Sequence, residues 1–240
     1  MNHVAKKEQG FTLIELLLAM TFVSILLLII AMTVIQLSSI YNKGLTMKSV
    51  DQAGRAIATD IRQTLSGSSP FSLNGMFWNQ RNAGVSEDAP DGGRFCTGAY
   101  SYIWNYGRSI DSPINVYDTS TDTIRFVKVR DNGAQYCADQ KKKIIKENAS
   151  ELLAGGDTDL AIQSFQVKEL ASDPTTGQAL YRIIMEIGTN NQDALDHNRD
   201  KTLDTMDVTC KPPSDDSSVQ NFCAVNVFDF TAQAGNRGAD

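Results

Sequence analysis

The stretch GFTLIELLLAMTFVSILLLIIAMTVI, residues 10–35, decides how this chain is organised. Leu16 to Ile35 contains no charged residue. About 20 residues that rise 1.5 Å each in a helix cover the roughly 30 Å of a bilayer's hydrocarbon layer. Glu15 stands at the entrance of this run, where a carboxylate costs about 2.5–3.5 kcal/mol on insertion scales and usually has a functional partner. The sequence therefore predicts a spanning helix whose carboxylate needs a positive group.

The same stretch resembles the class III signal of type IV prepilins and type II secretion pseudopilins. A polar leader, residues 1–10, ends in Gly10 and is followed by the motif FTLIE at 11–15. The resemblance implies that a prepilin peptidase cuts between Gly10 and Phe11 on the cytoplasmic side and methylates the new amine of Phe11. It also implies that Glu15 pairs with that amine, in its own chain or a neighbour's, when subunits move from the bilayer into a filament.

Two other interpretations compete with this one. An ordinary secretory signal requires a small-residue cleavage site after the apolar run, and the sequence TVIQ at 33–36 offers no convincing one. A plain signal anchor, which stays in the membrane uncleaved, remains open.

The topology follows mainly from the cleavage signal. Lys6 and Lys7 before the span are weakly opposed by Lys43 and Lys48 after it, so charge bias alone favours a cytoplasmic N-terminus only slightly. We expect a single-pass protein of the inner membrane, with residues 36–240 in the periplasm, where disulfides persist.

The helix is expected to continue beyond the membrane as an amphipathic half, residues 36–65, with one buried stripe at helical spacing. Gly67 and Pro70 then end it. A helix from Phe11 to Leu65 would be about 80 Å long at 1.5 Å per residue. The stripe consists of Val50, Ala53, Gly54, Ile57, Ala58, Ile61 and Leu65.

Residues 66–240 are long enough for one head domain. Strand patterns occur at 123–129, 161–169, 180–187 and 222–230, with a hairpin turn at 173–177. Residues 71–113 show no sustained period and are expected to form a long loop or irregular subdomain. A long helix packed on an antiparallel sheet gives an α+β fold.

Within the superfamily, three features resemble PilW-type minor pilins and J-type pseudopilins: the long head, Arg55 followed by Asp60-Ile61-Arg62, and IQSFQV at 162–167. Retention of Glu15 argues against the K-type tip subunit, which commonly lacks that carboxylate. We therefore expect a minor rather than a major subunit.

The net charge of −6 and the scattered basic residues argue against a nucleic-acid surface. The lysine run at 141–143 is expected to be solvated rather than a site for an anionic partner. An enzyme is not expected either: His3 lies in the leader, so only His197 could serve a triad, and no glycine-rich phosphate loop occurs.

The four cysteines, Cys96, Cys137, Cys210 and Cys223, allow three pairings, and the sequence does not choose among them. Sequential pairing is our prediction, and a Cys210–Cys223 bridge would stabilise the fold by about 3 kcal/mol in the chain-entropy model. A zinc site is the alternative, but it would need close-spaced Cys or Cys/His pairs, and there is no C-x-x-C.

A second motif, DHNRDKTLDTMD at 196–207, resembles the calcium loop of EF-hand and dockerin modules. In such a loop positions 1, 3, 5, 7, 9 and 12 surround the ion. Position 6, usually Gly, is Lys201 here, which brings a steric cost and a nearby positive charge. A solvated acidic loop is the alternative to calcium binding. The six positions are Asp196, Asn198, Asp200, Thr202, Asp204 and Asp207.

The sequence thus predicts a non-enzymatic minor pilin or pseudopilin. Its expected partners are other pilin or pseudopilin subunits, the prepilin peptidase and the inner-membrane assembly platform. The alternative is a membrane-anchored, calcium-dependent binding protein outside the cytoplasm that does not enter a filament.

Overall fold

The computed structural model describes residues 12–80, 91–153, 158–173, 175, 178–197, 208–212, 214 and 222–235. The chain divides into two compact units, one up to Asn42 and one from Lys43 onward. One long N-terminal helix is followed by antiparallel sheets, so the α+β class predicted from the sequence is confirmed.

Helix α1 runs from Leu13 to Ser66. The helix ends just before Gly67, as the sequence predicts. The Gly67 N–H donates to the Gln63 carbonyl at 3.2 Å, and the Ser68 N–H closes the last turn by donating to the Leu65 carbonyl at 3.0 Å. In the part that belongs to the second unit, the predicted stripe is buried, except for Ala53, which is half-buried. The buried residues are Thr46, Val50, Gly54, Ile57, Ala58, Ile61 and Leu65.

A five-stranded antiparallel sheet has the order β1-β2-β3-β4-β5. Its strands are Phe77–Gln80 (β1), Gly92–Cys96 (β2), Tyr100–Asn105 (β3), Phe126–Arg130 (β4) and Ala149–Glu151 (β5). β4 corresponds to the strand predicted at 123–129. The expectation of an irregular region at 71–113 was wrong, since β1, β2 and β3 lie within it.

The reason is visible in β2 and β3. All five residues of β2 are buried and so are five of the six in β3, so neither strand shows the alternation that marks a half-exposed strand. The glycines of β2 are required by packing: a Cβ on Gly93 would lie 2.2 Å from the Trp104 ring. The glycines of this segment suggest a loop in the sequence, but they form the strand against which the Trp104 indole packs.

A second sheet has the order β10-β7-β6, all antiparallel. β6 (Leu160–Asp173) and β7 (Gln178–Thr189) form the hairpin predicted from the turn at 173–177, and β10 (Val225–Ala234) pairs with β7. The predicted strand at 222–230 therefore exists but begins at Val225 and extends to Ala234. Two short strands, β8 (Leu195–His197) and β9 (Val208–Cys210), form a separate ladder.

The main core packs the buried stripe of α1 against both larger sheets. Aromatic rings fill it, and the closest pair is Trp104 with Phe165, whose ring centroids lie 4.5 Å apart. A smaller cluster surrounds Cys96 and Cys137 and includes helix α2 (Gln135–Ala138). A third lies around Leu195, Val208 and Cys223.

At Gly54, α1 packs closely against Phe228 of the second sheet. A Cβ at this position would lie 2.1 Å from ring atoms of Phe228. Gly44, in the same helix, has open space around the corresponding position.

We expect Gly54→Ala to lower the melting temperature and Gly44→Ala to raise it slightly. Alanine gains about 0.5–1 kcal/mol over glycine inside a helix. Overpacking a core typically costs about 1–3 kcal/mol, so at position 54 the clash with Phe228 outweighs the gain. Thermal unfolding of the full chain, followed by near-UV circular dichroism, measures both variants against the wild type. Equal stabilisation by the two substitutions would contradict this packing.

Candidate functional site at the N-terminal helix

The part of α1 from Leu13 to Ile35 has a surface that is apolar on all sides. Every large apolar side chain from Leu13 to Ile35 is exposed, from 43% for Leu26 to 76% for Leu13. In the described part of the chain, α1 is the one helix long and apolar enough to cross a membrane. A helix that is apolar all round belongs in hydrocarbon or in a protein core rather than in water.

The few polar side chains within this surface form hydrogen bonds inside the helix. The hydroxyls of Thr21, Ser24 and Thr33 donate to the carbonyls of Leu18, Met20 and Ile29 at 2.9, 2.8 and 2.6 Å. A hydroxyl satisfied in this way carries no large penalty in an apolar medium. The surface is therefore suited to burial in hydrocarbon along its length.

Glu15 is held at the start of the helix by Thr12. Its Oε2 accepts the Thr12 backbone N–H at 2.9 Å and the Thr12 hydroxyl at 2.7 Å, and the Thr12 Oγ1 accepts the Glu15 N–H at 3.4 Å. This is a capping box, in which an N-terminal Thr and a Glu three residues later satisfy each other's backbone donors. Both Thr12 hydrogen bonds end on Oε2, so Oε1 can accept a further donor.

The predicted processing residues, Gly10 and Phe11, lie outside the described residues. Of the predicted assembly pair, Glu15 and Phe11, the structure therefore describes Glu15 alone. What it adds is Thr12, whose role the sequence pattern T-x-x-E at 12–15 could have indicated.

Residues 5–34 match the family model of the prokaryotic N-terminal methylation motif. No curated protein and no solved structure matches the chain. Together with the exposed apolar helix, this motif is typical of type IV pilin-like chains, which a prepilin peptidase processes and which are anchored in the inner membrane.

The soluble half of α1 is fixed to the head by a polar cluster around Asp60. The Tyr102 hydroxyl donates to Asp60 Oδ2 at 2.6 Å, and the Lys128 ammonium contacts Asp60 Oδ1 at 2.9 Å. Thr64 Oγ1 accepts from the Lys128 ammonium at 2.8 Å, and its own hydroxyl lies 2.7 Å from the Tyr102 oxygen, to which it can donate. Burial, with the hydrogen bond to Asp60, raises the pKa of Tyr102, so the phenol stays protonated and donates.

Two further contacts join α1 to β10. Arg62 Nε donates to the Thr231 carbonyl at 3.3 Å, and its guanidinium lies 4.8 Å from the centre of the Phe230 ring. Asn226 Nδ2 donates to Asp51 Oδ1 at 2.6 Å. Asp60 and Arg62 thus both anchor the helix to the head.

The cysteines form the two sequential disulfides, Cys96–Cys137 and Cys210–Cys223. The pairing predicted from the sequence is therefore the one in the structure. Because all four thiols are bonded, none is available as a zinc ligand.

A buried arginine that the sequence did not single out supports the first disulfide. Arg94 is 1% exposed and donates to four oxygens: Asn115 Oδ1 at 2.9 Å and the carbonyls of Tyr136, Asp139 and Lys142 at 2.8, 2.9 and 3.0 Å. Burial lowers the pKa of Arg94 to about 10, which leaves it protonated at neutral pH. The charge holds the segment that carries Cys137 against β2.

Of the six predicted calcium ligands, the structure describes Asp196 alone; Asn198, Asp200, Thr202, Asp204 and Asp207 lie outside the described residues. Asp196 is exposed and pairs with Thr209 in the β8–β9 ladder. Among the described residues no group of three or more His, Cys, Asp or Glu side chains is arranged to hold a metal ion.

Proposed function

We propose that this chain is a minor pilin or pseudopilin, a subunit of a type IV pilus or a type II secretion filament that is assembled through α1. The observation that carries the proposal is the combination of the methylation motif at 5–34 with an apolar helix surface that is exposed from Leu13 to Ile35. That surface requires hydrocarbon before assembly, and in a filament it would be buried against the helices of neighbouring subunits.

Glu15 is the residue that makes the transfer from membrane to filament specific. In a single chain its carboxylate is stabilised by Thr12, which reduces the penalty for a charge near the hydrocarbon. In the filament its Oε1 would receive the methylated amine of Phe11 from a neighbouring subunit. In a low-dielectric core such an opposite charge is strongly favoured, and either charge alone is strongly disfavoured.

The proposed orientation places the N-terminus in the cytoplasm and the head in the periplasm. Two disulfides in the head support it, because disulfides persist in the periplasm and are reduced in the cytosol. The resemblance of the Arg55 to Arg62 segment and of residues 162–167 to PilW-type minor pilins and J-type pseudopilins supports a minor subunit.

We also propose that the loop 196–207 binds calcium. The support is the spacing of five oxygen-bearing side chains, at loop positions 1, 3, 5, 9 and 12, with a backbone carbonyl expected from Thr202 at position 7, together with the β8–β9 ladder. Val208, which follows Asp207 directly, pairs with His197, which follows Asp196. Asp196 and His197 are thereby held beside Thr209 and Val208, and a loop that wraps one ion needs its flanking residues close together.

The processing step is tested at Gly10. The mature chain is expected to begin with methylated Phe11, and Gly10→Glu is expected to leave the leader in place, because a large charged side chain does not enter a peptidase site shaped for a small residue. N-terminal mass spectrometry of the membrane-bound protein measures both. An intact leader in the wild type, or cleavage after Thr33, would contradict the assignment.

The pairing role of Glu15 is tested by two substitutions. Glu15→Val removes both the charge and the cap, whereas Glu15→Gln removes the charge and keeps an acceptor for Thr12, since Gln also serves in a capping box. If the charge pairs with a neighbouring amine, both variants are cleaved normally and both are depleted from filaments. Quantitative immunoblots of filament and membrane fractions measure how much of each variant enters the filament. Normal incorporation of the Gln variant would show that Glu15 acts as a helix cap only.

The calcium proposal predicts that the full chain melts at a higher temperature with calcium than with chelator, because an ion bound only by the folded state adds to its stability. Asp196→Ala combined with Asp200→Ala should abolish the difference. Asp193→Ala, an exposed residue just before the loop, is the control that should keep it. Magnesium should substitute poorly, because it requires near-octahedral geometry at shorter distances. Absence of calcium binding at millimolar concentration in calorimetric titration would leave an acidic loop with Lys201 in place of Gly.

A further inference from the structure

A polar cavity of about 240 Å³ opens in the second unit, where α1, the start of β6 and the end of β7 meet. Except for one aromatic ring, its walls carry hydroxyl, carboxamide and carboxylate groups. The lining residues are Thr46, Thr158, Asp159, Thr189, Asn190, Asn191 and Phe222.

The walls of this cavity are fixed by hydrogen bonds that need no ligand. Asn190 N–H donates to the Asp159 carbonyl at 2.9 Å, and Thr189 N–H donates to the Ala224 carbonyl at 2.9 Å. The Gln163 amide donates to the Thr189 carbonyl at 3.1 Å. The backbone around the cavity is therefore preorganised, which lowers the entropy lost on binding.

Two polar side chains in the lining have hydrogen-bonding capacity to spare. Asn191 is exposed, and within the part of the chain that the structure describes neither its carboxamide nor the Thr158 hydroxyl has a bonding partner. A carboxamide supplies two donors and an acceptor oxygen, and a hydroxyl supplies one donor and two acceptor sites. Such mixed groups match a ligand whose own groups both donate and accept.

Phe222 supplies the apolar side of the site. It is 54% exposed, the most exposed large apolar side chain among the described residues outside α1. The next residue, Cys223, is 3% exposed and joined to Cys210, so the chain that carries the ring is anchored covalently. An exposed aromatic face beside polar groups can cover the C–H face of a ring while its hydroxyls bond to the walls.

The charges decide which ligand class fits. Among the described lining residues, Asp159 is the one carboxylate and pairs with Arg125, and none is a lysine or arginine. An anion would find no cation among these residues, and a metal ion would find a single carboxylate that is already paired. The site is therefore suited to a neutral ligand rich in hydroxyl groups, and its volume lies below the range of drug-sized pockets.

We propose that this cavity binds one neutral hexose unit of a glycan. Asn191 and Thr158 bond to the sugar hydroxyls, and Phe222 packs against the ring. The proposal does not depend on incorporation into a filament, since every residue of the site belongs to the second unit.

The test uses the full chain in lipid nanodiscs, which contain no sugar-headed detergent. Saturation-transfer difference NMR is recorded with methyl glycosides of glucose, galactose, mannose and N-acetylglucosamine, each at millimolar concentration. At least one sugar is expected to show transfer. Asn191→Ala and Phe222→Ala are each expected to weaken its binding by about tenfold or more, a difference that titration resolves easily.

Two matched controls accompany these variants. Asn74→Ala removes an exposed carboxamide outside the cavity, and Leu170→Ala removes an apolar side chain that is 46% exposed on β6. Both should bind the sugar as the wild type does, and all four variants should keep the wild-type melting temperature. If the Phe222→Ala variant unfolds, sugar binding by the Asn191→Ala variant alone tests the proposal. Absence of transfer from all four sugars would overturn the proposal, as would transfer that Asn191→Ala leaves intact.

Discussion

The surface of α1 from Leu13 to Ile35 cannot remain in water, and this governs how the chain is built. Fully burying one large apolar side chain is worth about 1.5–3 kcal/mol, so the whole exposed surface represents tens of kcal/mol. The hydroxyls within it are already bonded to the helix backbone, and its one carboxylate is bonded to Thr12. Every polar side chain of this surface is thus satisfied locally, and Glu15 alone retains a charge for a partner.

The head is built to hold the other half of the same helix. Three kinds of contact do so: the stripe ending at Leu65 packs into the aromatic core, the Phe228 ring lies over Gly54, and the polar cluster at Asp60 joins α1 to the five-stranded sheet. Two smaller clusters lie away from this core, and a disulfide stabilises each. Small cores supply little stability by themselves, so cross-links that restrict the unfolded chain matter most there.

Much of this could be predicted from the sequence because it rests on local periodicity. The spanning run, the buried stripe from Val50 to Leu65 and the strands at β4, β6, β7 and β10 all carry their own pattern. The strands β2 and β3 could not be predicted, because they are buried on both faces. In addition, Gly93 must be glycine to make room for the ring of Trp104, which is distant in the sequence. Likewise, nothing near Arg94 in the sequence shows that it donates to carbonyls more than 40 residues away. At the candidate site, the sequence identified Glu15, and the structure adds the capping role of Thr12; the pairing with Phe11 and the calcium loop remain predictions.

On the proposed function, the apolar surface of α1 is finally buried inside a protein filament. The most direct measurement is mass spectrometry of surface filaments sheared from cells, compared with the membrane fraction and with cells that lack the filament-assembly ATPase. We expect peptides of this chain in the sheared filaments of wild-type cells, at a small ratio to the major subunit, and their loss from the sheared fraction when the ATPase is absent. A chain found only in membranes, in the same amount with and without the ATPase, would contradict filament incorporation and leave α1 as a membrane anchor.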